Sequence, residues 1–286
     1  MSIAATGAHP KSRKAVATSD RLLDRIMNLH GIVVFAFLYL PILVVVVYAF
    51  NESRLAAVWQ GFSLKWFAEA WRDDTLRHAF QISLTTALGT ATVASILGTA
   101  AAVALRNVGR RTRTGFDVFM YMALIVPEIV IAIASLLFFV TINLPLGPAA
   151  IVITHSVFNI SLVTLIVRAR LAGMDRTLEE ASRDLGASRW GTFRRVTLPQ
   201  LYPAVLASVL LSFTFSFDDV VLSSFVSGPG STTLPMEIFS SLRFGLTPKI
   251  NVVAVVTLAI TLSAIVIAQI LLRRESRRVR GSSNAG

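Results

Sequence analysis

Along this chain, apolar runs of about twenty residues alternate with shorter polar stretches. Six runs stand out, at roughly 31–50, 82–105, 118–140, 149–167, 203–222 and 252–272. A helix rises about 1.5 Å per residue, so about twenty residues cover the roughly 30 Å hydrocarbon layer of a bilayer. Backbone amides find no water in that layer, which makes each run a predicted helix. This applies even to Ile42-Leu43-Val44-Val45-Val46-Val47, whose residue types favour strands in water. The fourth run is short and contains His155, Ser156 and Asn159. Pro41 and Pro127 interrupt the hydrogen-bond ladder inside the first and third runs, where each reads as a kink. The second run is rich in Ala, Gly and Thr between Thr85 and Ala102, a composition that permits close helix–helix approach in lipid.

Composition agrees with this pattern. Of 286 residues, 54% are hydrophobic and 15% charged, and the mean hydropathy is +0.68. A soluble chain of this length needs far more charge to cover its surface. The predicted fold class is therefore all-α, a polytopic membrane protein with six transmembrane helices. It is organised as an N-terminal tail over 1–30, a membrane domain over 31–272 and a basic tail over 273–286. The first apolar run is too long for a signal-peptide core, so it reads as the first span.

The net charge of +11 would suit a nucleic-acid partner, but its placement argues otherwise. Of 27 Lys and Arg, 21 lie in 1–30, 106–117, 168–202 and 273–286, while the intervening loops carry six. That alternation is the positive-inside pattern and places both termini in the cytoplasm. Lipid is the expected surface partner, and nucleic acid is not one. The absence of cysteine excludes disulfides and thiolate metal sites, and the four histidines are scattered. No metal site and no catalytic triad is suggested, so the chain reads as a non-enzyme. Trp59, Trp66, Phe67 and Trp71 mark 51–76 as an interfacial or partner-facing amphipathic piece, and Leu234 to Phe239 follow a Ser-Gly-Pro-Gly-Ser turn as a short returning segment.

The polar stretch from Arg168 to Tyr202 is unusually ordered, with seven arginines and four acids. A helix is predicted over 176–185, with Thr177 as N-cap and Glu180 completing a capping box. Gly186 can end it through positive φ, and a second short element from Ala187-Ser188 is expected to stop before Leu198-Pro199. Ala181, Leu185 and Trp190 supply an apolar face flanked by Arg183, Arg189, Arg194 and Arg195. Such a pair could lie flat on the membrane, or seat as a knob in a groove of a cytoplasmic partner and pass rigid-body motion to the spans. The chain has no Gly-x-x-x-x-Gly-Lys-Ser/Thr motif, so an ATP-driven machine would need its nucleotide site on another subunit.

Glu180-Ala181-Ser182, three residues, Gly186, nine residues, then Val196-x-Leu198-Pro199 resembles the Glu-Ala-Ala loop of permease subunits in binding-protein-dependent ABC importers. Ser182 and Val196 replace the family's usual Ala and Ile. The resemblance covers about residues 31–275 and implies the type I importer permease (MetI-like) fold. It also implies a coupling loop, with Glu180, Ala181, Ser182, Gly186, Leu198 and Pro199 as its ATPase-coupling residues. Implied partners are a sister permease, two copies of a cytoplasmic ATPase and a periplasmic binding protein. This chain would bind no cofactor of its own, with ATP and Mg held by the ATPase. Ile125 to Val130, Phe217 to Val221, Ser224 to Gly230 and Thr233 to Met236 are similar to the second permease subunit of polyamine importers. Phe239 to Arg243 lean toward the putrescine branch over the spermidine one.

Three acids interrupt the runs: Glu128, Asp218 and Asp219. A carboxylate near mid-membrane costs on the order of 3 kcal/mol, so such groups face a bundle interior or an aqueous cavity. Helical rise places Glu128 about 15 Å and Asp218 about 21–23 Å from the inner side. The three are candidates for the path of a diamine dication, which would need negative partners in a constriction of low dielectric. Adjacent Asp218 and Asp219 sit about 100° apart on a helix, so one of them is expected to face the path. The opposing expectation is structural: Asp219 as a hydrogen-bond acceptor at a helix end, Glu128 as a partner for groups freed by Pro127. Other readings are a permease for a different small solute, or an ion-coupled secondary transporter, which would show coupled broken-helix repeats.

Overall fold

The computed structural model describes residues 12–54, 58–243 and 248–283. Their regular structure is helical, apart from an isolated antiparallel bridge between Asn51 and Phe62. The first helix, α1 (Ser12–Ala49), begins well before the apolar run, because Ser12 to His30 contains no Gly or Pro to stop it. Most of the predicted N-terminal tail is therefore helix, and its residues 1–11 lie outside the described residues. The basic C-terminal tail is likewise helical up to Ser283, with 284–286 outside them. Asn51 then orders the following loop, donating to Val58 O at 2.7 Å and accepting from the Gln60 N–H at 3.0 Å.

A short α2 (Lys65–Arg72) leads into α3 (Asp74–Ala104). Asp73 caps α3, accepting from the amides of Thr75 and Leu76 at 3.0 and 3.2 Å. The predicted third span is not one kinked helix. It is split into α4 (Arg110–Ile125) and α5 (Glu128–Thr141), bent by 104°. Proline disfavours the helical region for the residue before it, and both Val126 (ψ 130°) and Pro127 (ψ 136°) are extended.

The short fourth run becomes α6 (Pro148–Ala172), with 56% of its apolar window buried, which is where His155, Ser156 and Asn159 are tolerated. Next come α7 (Thr177–Asp184), α8 (Arg189–Thr192), a π-helical turn (Phe193–Thr197) and α9 (Leu198–Phe217). The chain closes with α10 (Val221–Val226), α11 (Leu234–Arg243) and α12 (Pro248–Ser283). Among the described residues, four helices are long and apolar enough to cross a membrane, or five if the bent α4–α5 pair forms one span. This corrects the expected six. Besides the bent pair, the shortfall is α12, whose described apolar stretch is only Pro248–Ser263.

The centre is a bundle of α3, α6 and α9, which pack most extensively on one another. The small residues of α3 are what bring it to α6. A side-chain carbon at Gly98 would sit 2.7 Å from Val163 and 3.0 Å from the Ile160 carbonyl. The Thr164 hydroxyl donates to Gly98 O at 3.2 Å across this contact. Beside it, Ala94, Ala102, Val163, Val167, Leu171, Met174 and Leu201 form one buried cluster joining the same ends of all three helices.

Candidate functional site: the polar loop and the acids of the broken helices

The loop between α6 and α9 stands on that cluster through Leu171 and Met174. Its first helix has Arg176 at the N-cap, without a side-chain cap bond, so the predicted N-cap Thr177 is the first helical residue instead; just ahead of it, Asp175 accepts from the Thr177 amide at 2.9 Å. Gly186 ends the helix with φ +84°, the conformation that its lack of a side chain permits. Ser188 caps α8, accepting from Gly191 N at 3.1 Å, and the Ser182 and Thr192 hydroxyls meet at 3.2 Å to hold α7 against α8.

The second element does not stop before Leu198-Pro199. It runs through the π turn into α9, so that Arg189–Phe217 is one continuous helical rod. Pro199 falls in the first turn of α9, where its missing N–H would be unpaired in any case. Of the predicted coupling residues, Glu180 and Ala181 are exposed on α7, Ser182 is half-buried against α8, and Gly186 is exposed. Leu198 and Pro199 are exposed at the start of α9 instead of at the α7 tip. The outward apolar face is Leu185, 90% exposed, and Trp190, 68% exposed, whose ring stacks on Phe193.

Sequence reasoning chose Glu180 and passed over Glu179, which is the buried one. A single oxygen of Glu179, Oε1, receives the Arg106 guanidinium at 2.7 Å and the Thr197 hydroxyl at 2.8 Å. Burial opposes ionisation of Glu179, but hydrogen bonds from Arg106 and Thr197 and the positive charges of Arg106 and Arg183 outweigh it, holding its pKa below the usual carboxylate value. A second ion pair joins Arg168 at the end of α6 to Asp117 on α4. Only three-dimensional proximity identifies these pairs. The sequence signal was no more than a helix with two adjacent glutamates.

The three membrane acids separate in space and in surroundings. Glu128 is the first residue of α5, exposed beside the bend, so a depth taken from a straight helix does not apply to it. Asp218 and Asp219 lie just beyond the end of α9, not inside a span over 203–222. Asp219 is turned inward. It accepts from the Ser223 amide at 2.8 Å and lies 3.2 Å from His155 Nε2. His155, isolated in sequence, also meets the Ser216 hydroxyl at 2.7 Å and the Ser223 hydroxyl at 3.2 Å. Asp218 is exposed and lines a pocket of about 200 Å³ with Val220, Leu234, Pro235, Ile238 and Thr257. A larger apolar cavity of about 870 Å³ lies between α2, α3 and α12, walled by Trp71, Phe80 and Val256 among others. Among the described residues no cluster of His, Asp or Glu could hold a metal ion.

Comparison with known proteins places this geometry. Residues 94–281 match the family described as "Binding-protein-dependent transport system inner membrane component". The chain is 42% identical over 259 residues to the putrescine transport system permease protein PotI of Escherichia coli (strain K12), covering 88% of this chain and 92% of that one. It is 37% identical over 244 residues to the spermidine/putrescine transport system permease protein PotC of the same organism, covering 85% and 92%. The fold matches a bacterial ABC transporter for import of the acidic polysaccharide alginate, with TM-score 0.73, 15% identity and coverage of 92% and 99%. It also matches the MetNI methionine ABC transporter in an inward-facing conformation, with TM-score 0.61, 17% identity and coverage of 73% and 98%. On its own sequence and fold, this chain belongs to the inner-membrane permease components of binding-protein-dependent ABC importers.

Proposed function

We propose that this chain is the second permease subunit of an ATP-powered polyamine importer, with putrescine the favoured cargo. The observation that carries the reading is the α7–α8 knob. It presents Leu185 and Trp190 outward while its inner side is fixed to the bundle by Glu179. An amphipathic pair lying on lipid would have no need of so firm a mount. The knob suits a groove on an ATPase, where Glu180, Ala181, Ser182 and Gly186 form the docking helix and Leu198-Pro199 begin the rod that carries its motion inward.

In this reading α12 is the sixth span, both termini are cytoplasmic, and a sister permease completes the path. Two copies of the ATPase hold ATP and Mg, and a periplasmic polyamine-binding protein delivers cargo. The likeness to the putrescine permease supports the cargo class. Asp218 supports it chemically: an exposed carboxylate beside an apolar pocket offers one charge to an ammonium and a wall to its methylenes. Glu128 is the second candidate contact. Asp219 is the third candidate, turned inward beside Asp218 by its bonds with His155 and Ser223.

The test is reconstitution of the whole complex in proteoliposomes, comparing putrescine, spermidine and a neutral solute with and without the binding protein. The expected result is ATP-dependent cation uptake that requires the binding protein, with putrescine preferred. Uptake of the neutral solute alone, or cation uptake that persists without the ATPase, overturns the reading.

A further inference from the structure

The mount beneath the knob has a consequence for how motion passes through the molecule. Arg106 lies two residues beyond α3, Glu179 is on α7, and Thr197 is the last residue of the π turn that feeds α9. The end of α3, the helix α7 73 residues later and the π turn 18 residues beyond it therefore meet on one carboxylate oxygen. The side chains of Arg106 and Glu179 are only 14% and 11% exposed, so water does little to screen the pair. An isolated charge there would be costly, which keeps both partners engaged.

Each arm of the junction leads into the membrane domain. Through Arg106, α7 is tied to one end of α3, whose other end is held to α12 by Lys249 and Asp73 at 2.6 Å. Through Thr197, α7 is tied to the base of α9, whose far end carries Asp218. The neighbouring cluster of Ala102, Leu171, Met174 and Leu201 packs the same three ends together. Directional bonds add a fixed geometry to that packing, since they weaken steeply when their angle or distance changes.

We infer that Glu179 is a positioning residue that locks the docking helix α7 to the ends of α3 and α9 through Arg106 and Thr197, so that displacement of α7 by the ATPase moves both helices as one body. The inference rests on the reading of α7 as the ATPase-docking helix. Glu180 faces the partner, whereas Glu179 faces the chain's own bundle. The two adjacent glutamates thus divide the work of coupling, one outward and one inward.

The experiment uses the full complex. Because this chain has no cysteine, it can be spin-labelled at Asp184→Cys on α7 and Val108→Cys beyond α3 before assembly with its partners, so that the labels sit at those two positions alone. The expected result is one narrow distance distribution, the same in ATP-free and ATP-bound states. A distance that changes between those states overturns the inference, whatever any substitution does. Glu179→Gln and Arg106→Gln are then expected to keep the ATPase bound but lower uptake per ATP hydrolysed by between about twofold and thirtyfold. Thr197→Val, a milder and nearly isosteric change, is expected to lower the same ratio less. Unchanged ratios in all three overturn the inference. Failure of the docking reading shows separately: Leu185→Asp with Trp190→Ala should release the ATPase, and retention of it refutes docking while leaving the label distance to judge the lock.

Discussion

Two adjacent aspartates meet different surroundings, and the difference sets what each can do. Asp219 accepts from the Ser223 amide and faces His155, so it caps α10 and joins it to α6. Replacing it with Ala would leave the Ser223 amide in the first turn of α10 short of a partner, at about 1–3 kcal/mol, while His155 would keep the Ser216 and Ser223 hydroxyls. Asp219→Ala is therefore expected to lower the thermal unfolding temperature of the purified complex clearly. Asp218→Asn is expected to leave that temperature unchanged and to reduce putrescine uptake, since its carboxylate is exposed at the pocket. Equal melting losses in both would contradict the division. Glu179 gives a pH prediction. Its pKa lies below the usual 4.5 when folded, so its bonds contribute full stability above that value and lose it as pH falls through the folded pKa. Wild-type melting temperature should thus drop more steeply below about pH 4.5 than that of Glu179→Gln. That Glu179 escaped sequence reasoning has a simple cause. Two neighbouring glutamates look alike in sequence, and what distinguishes them is Arg106, 73 residues away.

Among the elements, hydrophobic runs located α1, α3, α6 and α9, because each run must hide its backbone from lipid. Run length did not reveal the 104° bend between α4 and α5, since summed hydropathy is blind to the extended backbone at Val126-Pro127. Nor did it show that Arg189–Phe217 is continuous, because a π turn absorbs the misfit ahead of Pro199. The small-residue stripe of α3 was legible as a site of close approach, and its partner helix was not. That partner is α6, and the contact yields a further prediction. A methyl at Gly98 would lie 2.7 Å from Val163 and 3.0 Å from a backbone carbonyl, so α3 and α6 must separate to admit it. Gly98→Ala is expected to cost about 1–3 kcal/mol by overpacking, despite the better helix propensity of Ala. A melting temperature equal to wild type would show that this helix pair gives way more easily than its packing implies.

For the whole molecule, the bent pair raises a question of parity that the ion pairs answer. If α4 and α5 together turned back without crossing, then α6 would carry the polar loop to the side opposite the α3–α4 connection. Arg106, just after α3, bonds to Glu179 in the polar loop, and Asp117 on α4 bonds to Arg168 at the end of α6. Groups on opposite faces of a bilayer cannot form such bonds across roughly 30 Å of hydrocarbon. The α4–α5 pair therefore crosses as a broken span and α6 returns, which puts both arginine-rich segments on one face, as positive-inside reasoning requires. Single cysteines test this in an otherwise thiol-free chain. With a membrane-impermeant maleimide on intact cells, Arg111→Cys and Leu185→Cys should remain unlabelled, and both should react in inverted vesicles. Glu52→Cys and Gly230→Cys should show the reverse pattern, since Glu52 follows α1 and His78 near the start of α3 bonds Gly230 O at 2.9 Å. A cysteine at Ser282 adds the last crossing: labelling only in inverted vesicles makes α12 a full span, and labelling from outside makes it a helix that never crosses. Opposite labelling of positions 111 and 185 would break the parity argument and with it the single-face mount beneath α7.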